Sequence, residues 1–197
     1  MKKTVMRKIT ALLSGLGLLL LSQLVSADMA LIPGKSDIRF VSIKNTAVAE
    51  VHRFTALTGS VNADGDVVVQ VSLASVETLI PIRNERMREL LFETVKFPQA
   101  TVTAKVDQQT VTSLANGAYL ILDLMFTLQL HGESKQINAP VSVARLGDEI
   151  HVATLQPLLL NAADFQLGAG VERLREIAGL NSIIAVVPVT ANLVFAR

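Results

Sequence analysis

The 197-residue chain contains no cysteine and no tryptophan, only one tyrosine, and aromatics make up just 4% of it. Without cysteine there is no disulfide, no thiol nucleophile and no lipid anchor on a cysteine. So few aromatics cannot furnish the two interfacial girdles of an outer-membrane barrel, and the last strand ends in "FAR" and not on an aromatic. There is no Gly-x-Ser-x-Gly elbow and no His-Glu-x-x-His pair. The three histidines, His52, His131 and His151, fall on different strands or turns, far from any compact ligand spacing, so no metal site and no cofactor are expected.

Charge is unevenly spread. "MKKTVMRK" is a basic start, Ile9 to Val25 is uncharged and apolar, and "VSA" at Val25–Ala27 puts small residues at the −3 and −1 positions of a signal-peptidase site. Residues 1–27 read as a cleaved secretory signal peptide, of bacterial type, with an uncleaved membrane anchor as the competing reading. The expectation is therefore a periplasmic product spanning 28–197. The leader carries four of the 18 basic residues and no acid, which leaves 14 basic against 17 acidic residues and a net −3. A slightly acidic domain of 170 residues has room for one core but lacks the basic face that nucleic acid requires.

What fills that domain is period-two alternation. Leu120, Leu122, Leu124, Phe126, Leu128 and Leu130 share one face of a strand, with Tyr119, Asp123, Thr127 and Gln129 on the other. Ala100 to Val106, Val67 to Leu73, Ile137 to Val143 and Val187 to Phe195 repeat the pattern, and "ADGD", "HGES" and "LGDE" connect such runs as hairpin turns. Eight strands are expected, at 36–44, 48–62, 67–74, 99–107, 118–131, 135–146, 149–160 and 183–196. Long strands joined by tight turns suit an all-β antiparallel barrel, because closure removes exposed edges. Gly59 is a candidate bend.

Two charged segments interrupt the strands. Arg83–Glu93 has Met87, Leu90 and Leu91 at i, i+3, i+4, with Asn84 as the expected N-cap. Gly170–Gly179 has Val171, Leu174, Ile177 and Ala178 on one face, with Gly179 as the C-cap. Each is a short helix with one apolar side, fit either to close an open apolar end of the barrel or to seal an ordinary core. Arg86, Arg88, Arg173 and Arg175 read as a solvated face with i, i+3 or i+4 acids; Arg83, ahead of the expected cap, is placed to reach the cavity mouth.

The stretch "GSVNADGDVVVQVSLASVET", then "RNERMRELLF", then "VKFPQATVTAKV" resembles the YceI-like family, carried by Ser75, Thr78, Arg83, Asn84, Met87, Phe97 and Pro98. Leu128, Leu130, Gly132, Ser134 and Lys135 match a second family signature; Asp164–Phe165 match a third, which is broken at Gln166. The resemblance covers about 36–196. It implies an eight-stranded lipocalin-like barrel with two short helices closing it and a long apolar cavity for an isoprenoid or acyl lipid, quinone or polyprenyl in type. Where the family has Asp and His in its first helix, this chain has Asn84 and Arg86, and Ala162–Ala163 stand where an Arg is common.

The resulting expectation is a lipid carrier or store, not an enzyme. Its ligand residues would be Phe54, Arg83, Met87, Leu90, Leu91, Phe92, Phe97, Leu124, Phe126 and Phe165. Its partners would be an apolar lipid and, transiently, a membrane or membrane protein. Its oligomeric state, a dimer included, is left open. The competing class is an enzyme modifying a lipid or quinone in the same cavity, with an outer-membrane barrel last.

Overall fold

A computed structural model describes residues 28–197; the expected signal peptide lies outside them. Twelve strands join in one antiparallel sheet that closes on itself. They amount to eight staves, because four staves are broken in the middle. β1 (Met29–Leu31) and β2 (Asp37–Lys44) form the first, β3 (Val48–Phe54) and β4 (Leu57–Val61) the second, and β5 (Asp66–Ser72) and β6 (Val76–Glu77) the third. β7 (Gln99–Lys105), β8 (Tyr119–Leu130) and β9 (Glu133–Leu146) are unbroken. β10 (Glu149–Thr154) and β11 (Leu158–Asn161) form the seventh stave and β12 (Val186–Ala196) the eighth. Each stave pairs with the next. β12 then closes the ring, with β10 and β11 on one edge and β1 and β2 on the other, in registers such as Ile150↔Phe195 and Ala191↔Ile38.

Local chemistry sets the breaks and turns. The expected strand 48–62 is two strands, parted at Thr55–Ala56, where the Ser75 hydroxyl accepts from both backbone amides, at 3.1 and 3.0 Å. Gly59 is not the bend. It pairs in register with Val69, and a Cβ there would lie 2.7 Å from the Val68 carbonyl oxygen, so glycine permits a close strand approach. His131 and Gly132, at φ 52° and 86°, make a two-residue turn of the twist-matched kind between β8 and β9. β1 was not expected, since three residues are too few to show alternation.

The period-two stripes face inward. Val69, Val71, Leu73, Ala100, Phe126, Leu128, Val141 and Val143 are buried in one core. The outer face carries Thr101, Thr103, Asp123, Thr127, Gln129 and Gln136, which pair across strands as Thr103↔Thr127, Thr101↔Gln129 and Thr127↔Gln136. Exposed Tyr119, Ile121 and Met125 lie on the same outer face, so the outside is mixed, whereas the inside is apolar, unlike the polar interior of outer-membrane barrels.

Both expected helices lie at one end of the barrel. The first is an α-helix, α1 (Pro81–Arg86), that passes into a π-helical turn (Met87–Leu91). Asn84 is not its cap. Pro81 begins the helix three residues earlier, its preset φ suiting the first turn, and Ile80 holds the cap position. At the opposite end a short helix absent from the sequence reading, α2 (Gln108–Thr112), plugs the barrel and is capped by Asp107. Arg145 donates to the carbonyls of Thr112 and Leu114, tying α2 to β9. The second expected helix is α3 (Gly168–Ile177). Gly179 follows it at φ 61° and donates to Glu176, while Leu180 donates to Arg175, a Schellman ending.

Candidate functional site: an apolar cavity under a helical lid

The barrel encloses a cavity of about 290 Å³. Its wall is apolar except for Gln108, Thr154 and Asn161, and none of its lining residues is charged. The stripe from Leu122 to Leu130 lines it, and eight steps of about 3.3 Å on a strand tilted by about 40° give a depth of roughly 20 Å. α2 floors it through Gln108 and Val111; Leu91, Phe92, Phe165, Leu167 and Val171 roof it.

Of the expected ligand residues, Phe54, Leu91, Phe92, Leu124, Phe126 and Phe165 lie on the cavity wall. Arg83, Met87, Leu90 and Phe97 do not. Met87 and Leu90 are displaced by the π-turn. The Phe92 amide donates to the Met87 carbonyl five residues back, at 2.9 Å, which rotates the face so that Leu91 and Phe92 look into the barrel. Met87 is buried behind them and Leu90 is half-buried. The chain packs α3 tightly there: a Cβ on Gly170 would lie 2.6 Å from the Leu90 carbonyl oxygen and 2.8 Å from Leu91 Cα. Phe97 sits outside the cavity against the β8–β9 turn, its ring 4.3 Å from that of His131 and close under Gly132.

Arg83 is engaged. Its guanidinium pairs with Glu50 at 2.8 Å and donates to the Thr78 carbonyl at 2.7 Å. Asn84 accepts from the Thr78 amide (2.9 Å) and hydroxyl (2.6 Å) and donates to Glu77 (3.0 Å). The residues that carried the resemblance around the first helix thus brace the turn that sets the lid. Asn161 caps the turn that holds Asp164, accepting from the Ala163 amide at 3.0 Å. Gln166, where the third signature is broken, holds φ 54°, a left-handed conformation that glycine adopts freely.

At the lid end the inward faces of β2 and β3 turn polar. Phe40 and Phe54 line the cavity, and alternation puts Ser42 and Lys44 on the face of Phe40 and Glu50 and His52 on the face of Phe54. The rings of Phe40, Phe54 and Phe92 run in contact, at 5.4 and 5.8 Å between centroids. His52 leans on Phe40 at 5.1 Å and bonds Ser42 through Nε2 at 2.8 Å. Glu50 takes Lys44 and Arg83, each at 2.8 Å, and the hydrogen bond from Lys44, with the Arg83 charge behind it, holds its carboxyl below the usual range. Burial, reinforced by Arg83, pushes the His52 pKa down to about 4. Sequence reasoning passed over this cluster; polar residues at inward positions of a strand were the signal.

His131 and His151 are apart from it, paired with Glu93 at 2.9 Å and Glu149 at 3.1 Å. Among the described residues no three His, Asp or Glu side chains are placed to hold a metal ion.

A closed antiparallel barrel with an apolar interior and a helical lid defines the lipocalin-like class. Within that class, the YceI-like domain matches residues 30–195, and the chain belongs to this family. A solved structure from Saccharophagus degradans, described as a polyisoprenoid binding domain implicated in plant cell wall breakdown, is similar at 42% identity and a TM-score of 0.85, covering 86% of this chain and 98% of that one. BcnA from Burkholderia cenocepacia shares the fold at 20% identity and a TM-score of 0.64, covering 83% of this chain and 98% of its own. A comparison with curated proteins gave no match.

Proposed function

We propose that this protein is a periplasmic carrier or store that holds an isoprenoid or another long-chain apolar lipid, of quinone or polyprenyl type, inside the barrel. The observation that carries this is the cavity wall, apolar along its depth and without a charged residue. Such a wall offers dispersion and desolvation and no catalytic group, which suits binding without turnover. Each buried methylene contributes about 0.8 kcal/mol, so two or three isoprene units give roughly 8–12 kcal/mol before the cost of immobilising the ligand. The relative at 42% identity, described as a polyisoprenoid binding domain, supports the same reading. Exposed Leu79, Ile80, Ile82 and Val95 flank the lid, a face suited to transient contact with a membrane or membrane protein during loading.

The test is to purify the exported protein without detergent, extract it with organic solvent and analyse the extract by mass spectrometry. A prenyl or long-acyl lipid at near one per chain is expected. An extract free of lipid, from protein that also takes up no prenyl lipid from micelles, would overturn the reading. Turnover of such a lipid would move the protein to the enzyme class.

A further inference from the structure

We propose that α2 is a length gauge: Val111, backed by Leu114, sets the closed end of the cavity, so that the protein holds short prenyl tails, of about four isoprene units, and refuses longer ones. This rests on the carrier reading and narrows it to one class of tail.

The inward stripe of β8 does not stop where the cavity does. Leu122 to Leu130 line the wall, whereas Leu120, the next inward position, packs against the core and lies outside the cavity. Val111 and Leu114, from α2 and the turn after it, belong to the same core, and Val111 is buried at the cavity's end. Leu120 pairs with Val143 across the ladder, and Arg145, two positions further along β9, donates to the Thr112 and Leu114 carbonyls. The α2 segment therefore sits at the level of Leu120, and the barrel is longer than its cavity. One inward step on β8 is two residues, about 5 Å along the barrel at a tilt of about 40°, so α2 removes about that much depth.

A gauge has to resist the tail that presses on it, and α2 is held at both ends. Asp107 caps its start, accepting from the Gln109 amide at 3.1 Å, and Gln108 donates to the Asn62 carbonyl at 3.2 Å. The Val106 amide donates to the Gly65 carbonyl at 2.9 Å. A Cβ on Gly65 would lie 2.1 Å from the Val106 carbonyl oxygen, so the β4–β5 turn is pressed against the chain entering α2. Arg145 holds the far end, at 3.2 and 3.3 Å. The tail length follows from the depth. Carbon–carbon bonds of about 1.5 Å advance roughly 1.2 Å each in a zigzag, so the four main-chain bonds of an isoprene unit span about 5 Å. A depth of roughly 20 Å then takes about four units. A volume of about 290 Å³ is at the low end for ligand sites, about 300–1,000 Å³, which favours one extended tail over a folded longer one. A further unit must displace Val111 or stand out beyond the lid, where its apolar surface returns to water.

The experiment loads the exported protein from mild-detergent micelles holding equal amounts of prenyl alcohols from farnesol to solanesol. The protein is re-isolated without detergent, extracted, and its lipid quantified by mass spectrometry. In the micelle every tail already lies in an apolar phase, so retention reports fit and not general hydrophobicity. The wild type should retain geranylgeraniol best, with hexaprenol and solanesol lower by about tenfold or more. Val111→Ala with Leu114→Ala, which lowers the floor, should move the peak about one unit longer, and Val111→Phe, which raises it, about one unit shorter. Gly65→Ala, which unseats the chain entering α2 without touching the cavity wall, should broaden the profile towards longer tails. If Val111→Phe does not fold, the wild-type profile and the shaved variant decide alone. A wild-type profile that is flat or rises to solanesol, or a peak that stays in place in the shaved variant, would overturn the gauge while leaving the carrier intact. Retention of none of these alcohols, nor of oleyl alcohol offered alone, would overturn the carrier reading itself.

Discussion

Leu124 stands midway along β8, opposite Ala139, with its side chain on the cavity wall. Replacing it with aspartate introduces a carboxyl where no cation lies among the lining residues and where the only polar ones are Gln108, Thr154 and Asn161. A carboxyl in such a place rises in pKa, by about 3 units in a dry site, and each unit is 1.36 kcal/mol. The sign follows from linkage. Below the unfolded value near 3.9 the group is protonated in both states. As pH rises past it, the unfolded chain ionises and the folded chain does not, so stability falls until the folded pKa near 7 is reached. The deficit is about 4 kcal/mol at neutral pH, a large part of a total stability of 5–15 kcal/mol. The unfolding free energy of Leu124→Asp from urea titrations, taken relative to wild type, should therefore fall by about 2.5 kcal/mol between pH 5 and pH 7.5. Leu124→Asn should show a deficit that does not change with pH. Met125→Asp, on the outer face and 59% exposed, should stay within about 0.5 kcal/mol of wild type. A Leu124→Asp protein as stable as wild type at both pH values would mean that its carboxylate is hydrated, and that the cavity is wet or the stripe faces outward.

The two lid residues Met87 and Leu91 should separate. Met87→Ala should lower the melting stability of the lipid-free protein by about 2–5 kcal/mol and leave lipid retention intact, whereas Leu91→Ala should loosen lipid more than it lowers stability; equal effects on both readouts would refute the placement. His52, neutral when folded with a pKa of about 4 against 6.5 unfolded, favours the fold above pH 6.5 and loses about 2–3 kcal/mol as pH falls towards 4. Urea unfolding of His52→Phe should therefore be less acid-sensitive than wild type, and parallel curves would contradict the burial argument. N-terminal sequencing of the exported protein should begin at Asp28; an intact Met1 on membrane-bound protein would defeat cleavage after Ala27.

How far the sequence reaches is clearest in particular elements. The Leu122–Leu130 stripe was legible because a strand has a fixed period of two, and once one face is apolar its direction is settled. The lid helices were legible as amphipathic segments, but their inward residues were not. The π-turn at Met87–Leu91 changes the period within the segment, and nothing in "RNERMRELL" marks where 3.6 gives way. Arg83 could be singled out as a mouth residue, yet its engagement by Glu50 spans 33 positions and depends on where β3 lands. His52 looked like a solitary histidine for the same reason: Ser42 is its neighbour only across the β2–β3 ladder. Strand stripes, hairpin turns and one-sided helices are local, fixed by backbone geometry and residue type, and the sequence alone determined them. The roof and floor of the cavity, the closing role of β1, and the meeting of His52, Ser42, Glu50 and Arg83 at its mouth belong to the tertiary structure, because they depend on how eight twisted staves close into a ring and which side chains that closure brings face to face.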